Sequence, residues 1–202
     1  MPLGYEIPFV TSIFYYSLTA IFARTLRHFA QAKFYKFRHL YILLADFITS
    51  FQLMAFSLEN GQIRAHYGEV AYVLTLVCVG LWAVYAVSDG QANPCSALID
   101  VLTGKYRFRW ALIRGLVQLC GALSSYQYAK VFWYFGFTLS HWERYSQTTC
   151  DSDLKVLAFW GFLVEFFGTL IYVAVSLTKF SSNSRLENIC KSFLGAVLTI
   201  LG

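Results

Sequence analysis

Residues 89–107 read DGQANPCSALIDVLTGKYR, directly after a long apolar run. The stretch opens on polar residues, reaches Asn93-Pro94-Cys95, and leaves about two turns of helix before Gly104. Asn suits a helix N-cap, and Pro suits the first helical position, where its missing N–H costs nothing. Gly104 is placed to end the helix. Such a helix is far short of the roughly 20 residues that cross a bilayer, yet it is too apolar for an ordinary surface loop. Taken alone, the residues fit two readings. One is a capped loop helix at the membrane surface. The other is a half-helix, over about 93–103, that enters the membrane and stops inside it.

Composition sets the context. The chain has 202 residues, of which 57% are hydrophobic, 19% aromatic and only 13% charged, and its mean hydropathy is +0.52. Soluble domains carry about 25% charged residues, so the chain reads as an all-α membrane protein. Long apolar runs with few prolines favour helices over a barrel, whose strands alternate apolar and polar. The net charge of +5 collects at span ends rather than in one patch, which argues for membrane flanks and against nucleic acid. The five cysteines form no CxxC pair, so no zinc or redox motif is expected. Cys78 and Cys120 are expected to pack as small apolar groups. No catalytic constellation and no cofactor motif occurs.

Hydropathy places candidate spans at about 8–24, 39–58, 69–88, 110–130 and 154–177, with a final apolar piece from about 192. The first is the most polar and is read as an extra span or an interfacial helix, retained rather than cleaved. Basic residues orient the chain. Arg24, Arg27, Lys33, Lys36 and Arg38 lie in one connection, Lys105, Arg107, Arg109 and Arg114 in another, and Lys179, Arg185 and Lys191 in a third. These connections alternate with ones poor in Lys and Arg, so they are expected to face the cytoplasm. The Asn-Pro-Cys stretch then enters from that side. The expected segments are 1–38 (N-terminal helix and basic linker), 39–130 (first repeat), 131–153 (a non-cytoplasmic loop) and 154–202 (an incomplete second repeat).

Acidic residues within spans are costly and usually functional. Two have matching surroundings: LADFITSF holds Asp46 and Ser50, and LVEFFGTL holds Glu165 and Thr169, each an acid and a hydroxyl four apart. Inverted repeats are a common way to build transporters around discontinuous helices. Asn93 lies 47 residues after Asp46, and the same interval from Glu165 leads to position 212, beyond Gly202.

Asn93-Pro94-Cys95 resembles the first Asn-Pro-Ala box of the aquaporins, in the Asn-Pro-Cys form of the unorthodox superaquaporin branch, numbers eleven and twelve. DFITSFQL resembles the first core helix of that branch, VQLCGAL with Gln118 the third, and HWERYSQTTCDSDLKV the loop into the second repeat. The resemblance covers about 39–202. It implies an aquaporin-like inverted-repeat bundle with one re-entrant half-helix, cut before its second box. Asp46 stands where the family usually has Glu.

The resemblance also implies roles. Asn93 and Pro94 form the pore-facing start of the half-helix with Cys95, whose thiol either packs between half-helices or lines the pore and tunes solute size. The positive end of the half-helix opposes cations while neutral solutes pass. Asp46, Ser50, Gln118, Glu165 and Thr169 are buried polar groups that hold loop backbone and helices in place, the hydroxyls by bonding carbonyls of their own helices. Gly115, Gly121 and Gly168 allow close helix packing. The implied function is a channel for water and small neutral solutes such as glycerol or hydrogen peroxide, a homotetramer in the endoplasmic reticulum. The alternative is a non-conducting, truncated member that assembles with full-length subunits. Trp82, Trp110, Trp133, Trp142 and Trp160 are read as lipid-facing anchors. His141, Glu143, Cys150, Asp151 and Asp153 are read as a solvated loop and not a metal site.

Overall fold

A computed structural model describes residues 8–87, 90–147 and 156–201. These form seven helices and no strand: α1 (Pro8–Phe34), α2 (Arg38–Ala86), α3 (Pro94–Leu102), α4 (Phe108–Tyr134), α5 (Leu139–Ser146), α6 (Ala158–Leu177) and α7 (Ser184–Leu201). By length and composition, α1, α2 and α6 are able to cross a membrane. α4, expected as a span, is 27 residues long but is not one of those three. Its run is broken by Arg114, Gln118 and Lys130.

Several boundaries differ from expectation for local reasons. The connection expected between 58 and 69 is helical, because nothing in ENGQIRAHY forbids helix except Gly61, a weak breaker. The interruption falls at Gly68, where φ is 77° and ψ is −176°, a backbone state that glycine adopts without a Cβ clash. α1 runs on through its basic residues to Phe34. α7 begins at Ser184, well before the apolar piece, and α5 was not foreseen at all.

Packing groups the chain into two compact units: residues 1–66 with 87–146, and residues 67–86 with 147–202. The grouping cuts α2 near Gly68, so the span read at 69–88 does not group with the first.

The first unit holds α1, the first arm of α2, α3, α4 and α5. Lipid is as apolar as a Leu side chain, so close packing and polar contacts must hold these helices together. Small residues supply the closeness. A Cβ on Gly121 of α4 would lie 2.5 Å from the Phe47 carbonyl oxygen and 3.2 Å from the Phe51 nitrogen of α2. Tyr15, Ala55, Ala129, Phe132 and Trp133 form one core cluster, and Ala23, Ala30 and Ile48 another. Trp133 is therefore a core side chain and not a lipid anchor, whereas Trp142 and Trp160 are exposed. Polar stitches join α1 to its neighbours: Ser12 donates to Glu59 at 2.6 Å, Tyr16 to Asn60, and Thr19 meets Tyr128 at 3.1 Å. α1 is thus an integrated helix of the unit.

The second unit holds the 69–86 arm, α6 and α7. Lys191 ties α7 to the end of α6, donating to the Ser176 carbonyl at 2.9 Å and pairing with Glu187 at 2.6 Å. α6 buries none of its residues, the pattern of a helix that presents its sides to lipid. Cys78 and Cys120 are exposed, so neither fills a core position, and among the described residues nothing lies within 4 Å of a Cβ placed on Gly168.

Candidate pore half-helix and its anchor

α3 is built as its sequence dictates. Asn93 takes an extended backbone, φ −124° and ψ 125°, with Pro94 at the first helical position. Its Oδ1 accepts the Cys95 N–H at 2.9 Å, which leaves the amide NH2 as a donor, and Asn93 and Pro94 are both exposed. The C-terminus closes with a paired cap: the Lys105 N–H donates to the Asp100 carbonyl at 2.8 Å and the Gly104 N–H to Val101 at 2.9 Å. That geometry needs a left-handed residue, and Gly104 supplies it at φ 74°.

The strand of chain leading into α3 is held from below. Asp46, fully buried on α2, accepts the backbone N–H of Gln91 at 2.8 Å. Arg114 of α4 grips the same carboxylate with two donors, Nε at 2.6 Å and Nη2 at 2.8 Å. Gln118 reaches it weakly at 3.4 Å. Arg114 also lies 3.8 Å from Asp100 of α3, which takes a 2.9 Å bond from the Gln91 side chain and another at 2.9 Å from Lys105. Two acids and one guanidinium thus join α2, the loop, α3 and α4. A bidentate, buried pair of this kind is geometrically demanding and fixes register as well as distance. Gly90 allows the loop to pass: a Cβ there would strike the Ala45 carbonyl and the Thr49 hydroxyl.

The structure brings some of the expected residues together and separates others. Asp46 and Gln118 meet at the loop. Ser50 is buried, but its Oγ finds no hydrogen-bond partner among the described residues, so the expected bond to its own helix is not made. Glu165 is exposed and Thr169 half-buried on α6, which corrects the expectation that both are buried. Within its unit α6 lies against α7. Of the loop expected to be solvated, Glu143 is exposed, and Cys150, Asp151 and Asp153 lie outside the described residues, as does Asp89. Among the described residues no group of three or more His, Cys, Asp and Glu could hold a metal.

Sequence reasoning missed Arg114, placed among the flanking cations but only 4% exposed. A signal was present: Arg114 and Gln118 are four apart and share a helix face, and a buried Asp46 requires a cation. His141 was also misread. It is 1% exposed and its Nε2 lies 3.2 Å from both oxygens of the fully buried Glu59. Glu59 thereby ties α1, α2 and α5 together. His141→Ala, which leaves Glu59 with Ser12 as its hydrogen-bond donor among the described residues, is expected to cost about 1–3 kcal/mol. A denaturation midpoint in detergent measures it, and an unchanged midpoint would remove Glu59 from the list of stabilising groups.

α3 is thus a half-helix capped by Asn-Pro, and the chain that enters it is anchored by a buried acid. The chain is similar to an aquaporin. Over 156 residues it is 29% identical to the Aquaporin-11 of Milnesium tardigradum, covering 76% of this chain and 58% of that protein. The chain therefore spans less than two thirds of the relative's length. No protein-family model matches it, and no solved structure does. The likeness points to the aquaporins over the residues matched.

Proposed function

We propose that the chain is an aquaporin-like membrane channel protein of the superaquaporin type, passing water and small neutral solutes such as glycerol and hydrogen peroxide. On this reading it is a homotetramer of an intracellular membrane, the endoplasmic reticulum. The observation that carries the proposal is the Asn93-capped α3, whose exposed N-terminus is held by the Asp46–Gln91 bond. That end offers donor N–H groups and a positive dipole to a solute oxygen. Asn93, Pro94 and Cys95 are the proposed pore contacts, with half-buried Cys95 set to influence solute size. Asp46 and Gln118 position the loop. The likeness to the tardigrade aquaporin supports the same reading.

Stopped-flow swelling of proteoliposomes tests it. The wild-type chain is expected to raise osmotic permeability above empty vesicles. Asn93→Asp should return it to the empty-vesicle value. Asp caps a helix as well as Asn does, so α3 persists, while the amide donor is lost and a negative charge is placed at the solute path. Wild-type vesicles no faster than empty ones would overturn conduction by this chain. Co-purification with a longer homologue would then favour the assembly role.

A further inference from the structure

The basic residues of the first unit come from two distant segments, and the fold gathers them. The ring of His39, at the start of α2, meets that of Trp110, at the start of α4, edge to face at 5.0 Å. This contact sets the α1–α2 turn beside the α3–α4 linker. Lys33, Lys36 and Arg38 of the first, and Lys105, Arg107 and Arg109 of the second, are all exposed. No Asp or Glu occurs between Glu6 and Asp46 to offset the first group; in the second, Lys105 is paired with Asp100 at 2.9 Å, while Arg107 and Arg109 add to the charge. At the turn, Gln31, Ala32, Lys33, Tyr35 and Lys36 line an open cavity of about 570 Å³. Lys33 Nζ sits over the Phe29 ring, 5.8 Å from its centroid. Tyr35 and Phe37 stand 69% and 67% exposed between the Lys and Arg side chains. Aromatic and basic residues so interleaved, between two helices able to span, match the headgroup layer of a bilayer in polarity.

We infer that this end of the first unit, the α1–α2 turn with the α3–α4 linker, is a docking surface for the headgroups of anionic phospholipids. Charge complementarity selects that occupant. Membrane-surface Lys and Arg each add attraction to an anionic leaflet, and the effect fades within a Debye length. A zwitterionic headgroup gains little from such a cluster of like charges. The inference rests on the membrane placement of α1 and α2 and is independent of conduction.

Electron spin resonance on the chain in phosphatidylcholine vesicles tests it, using trace spin-labelled phosphatidylserine or phosphatidylcholine. The serine lipid is expected in the protein-bound fraction on the order of five-fold above the choline lipid at low salt, approaching parity in 1 M salt. The variant K33Q/K36Q/R38Q should lose most of the enrichment. These side chains are exposed, and unchanged helical circular dichroism would show the fold intact. The control K130Q/R144Q, outside both basic segments, should keep the enrichment. Equal enrichment in wild type and triple variant overturns the inference, as does an equal loss in the control. Swelling rates do not enter the measurement, so a failure here is separate from a failure of the channel reading.

Discussion

Arg114→Met is expected to destabilise the protein by about 3–5 kcal/mol, because it strands the Asp46 carboxylate in a buried site without its cation. Asp46 has no exposed surface, and Arg114 supplies two of its shortest contacts, 2.6 and 2.8 Å. The remaining donors, the Gln91 N–H at 2.8 Å and Gln118 at 3.4 Å, cannot neutralise a full charge. The double variant D46L/R114M should recover most of the loss, since removing both members of a buried pair is often near neutral. Denaturant or thermal unfolding of the detergent-solubilised chain reads both. The double variant also loses the bond to Gln91, so it should regain stability without restoring permeability. If the single and double variants fall equally far, the stranded charge is not the cause.

Gly121→Ala is expected to destabilise by about 1–3 kcal/mol, the usual scale of overpacking. Two effects compete. Alanine favours helix over glycine by roughly 1 kcal/mol, but the new Cβ meets the Phe47 carbonyl at 2.5 Å and the Phe51 nitrogen at 3.2 Å. Both are backbone atoms of α2, unable to rotate aside, so the helices must separate, and overpacking wins. Gly115→Ala supplies the contrast. Its Cβ would touch only the Pro94 Cβ, at 3.8 Å, so the helix preference should prevail and stability should hold or rise. Unfolding midpoints compare them; equal shifts would show that the close α2–α4 approach does not limit this site. Phe47 neighbours Asp46, so Gly121→Ala should also weaken the loop anchor and lower permeability.

How much of this was legible depends on the range of the interaction. α3 could be read almost to the residue, since Asn93, Pro94 and Gly104 act on backbone atoms within a few positions of themselves. Asp46 drew attention because an acid in an apolar run is costly wherever it sits. The partner that makes it tolerable could not be read, because Arg114 lies 68 residues away and looks like any other flanking cation. The match between the Asp46 and Glu165 segments did not extend to burial, for the same reason. Similar local sequence met different surroundings, one acid enclosed by α2, the loop and α4, the other exposed on α6. His141 and Trp133 were misjudged because their burial comes from α1 and α2, which nothing near them in sequence reveals.

By itself, the sequence determined the all-helical membrane character and the short capped half-helix, since hydropathy and capping act over a few turns of chain. Only the tertiary structure decided which polar residues are enclosed. It paired Asp46 with Arg114 and Glu59 with His141, ran α2 on to Gly68, and drew two basic segments to one end through His39 and Trp110. The reason is physical: the stability of a buried charge is set by the groups within a few ångströms of it, and packing, not sequence distance, chooses those groups.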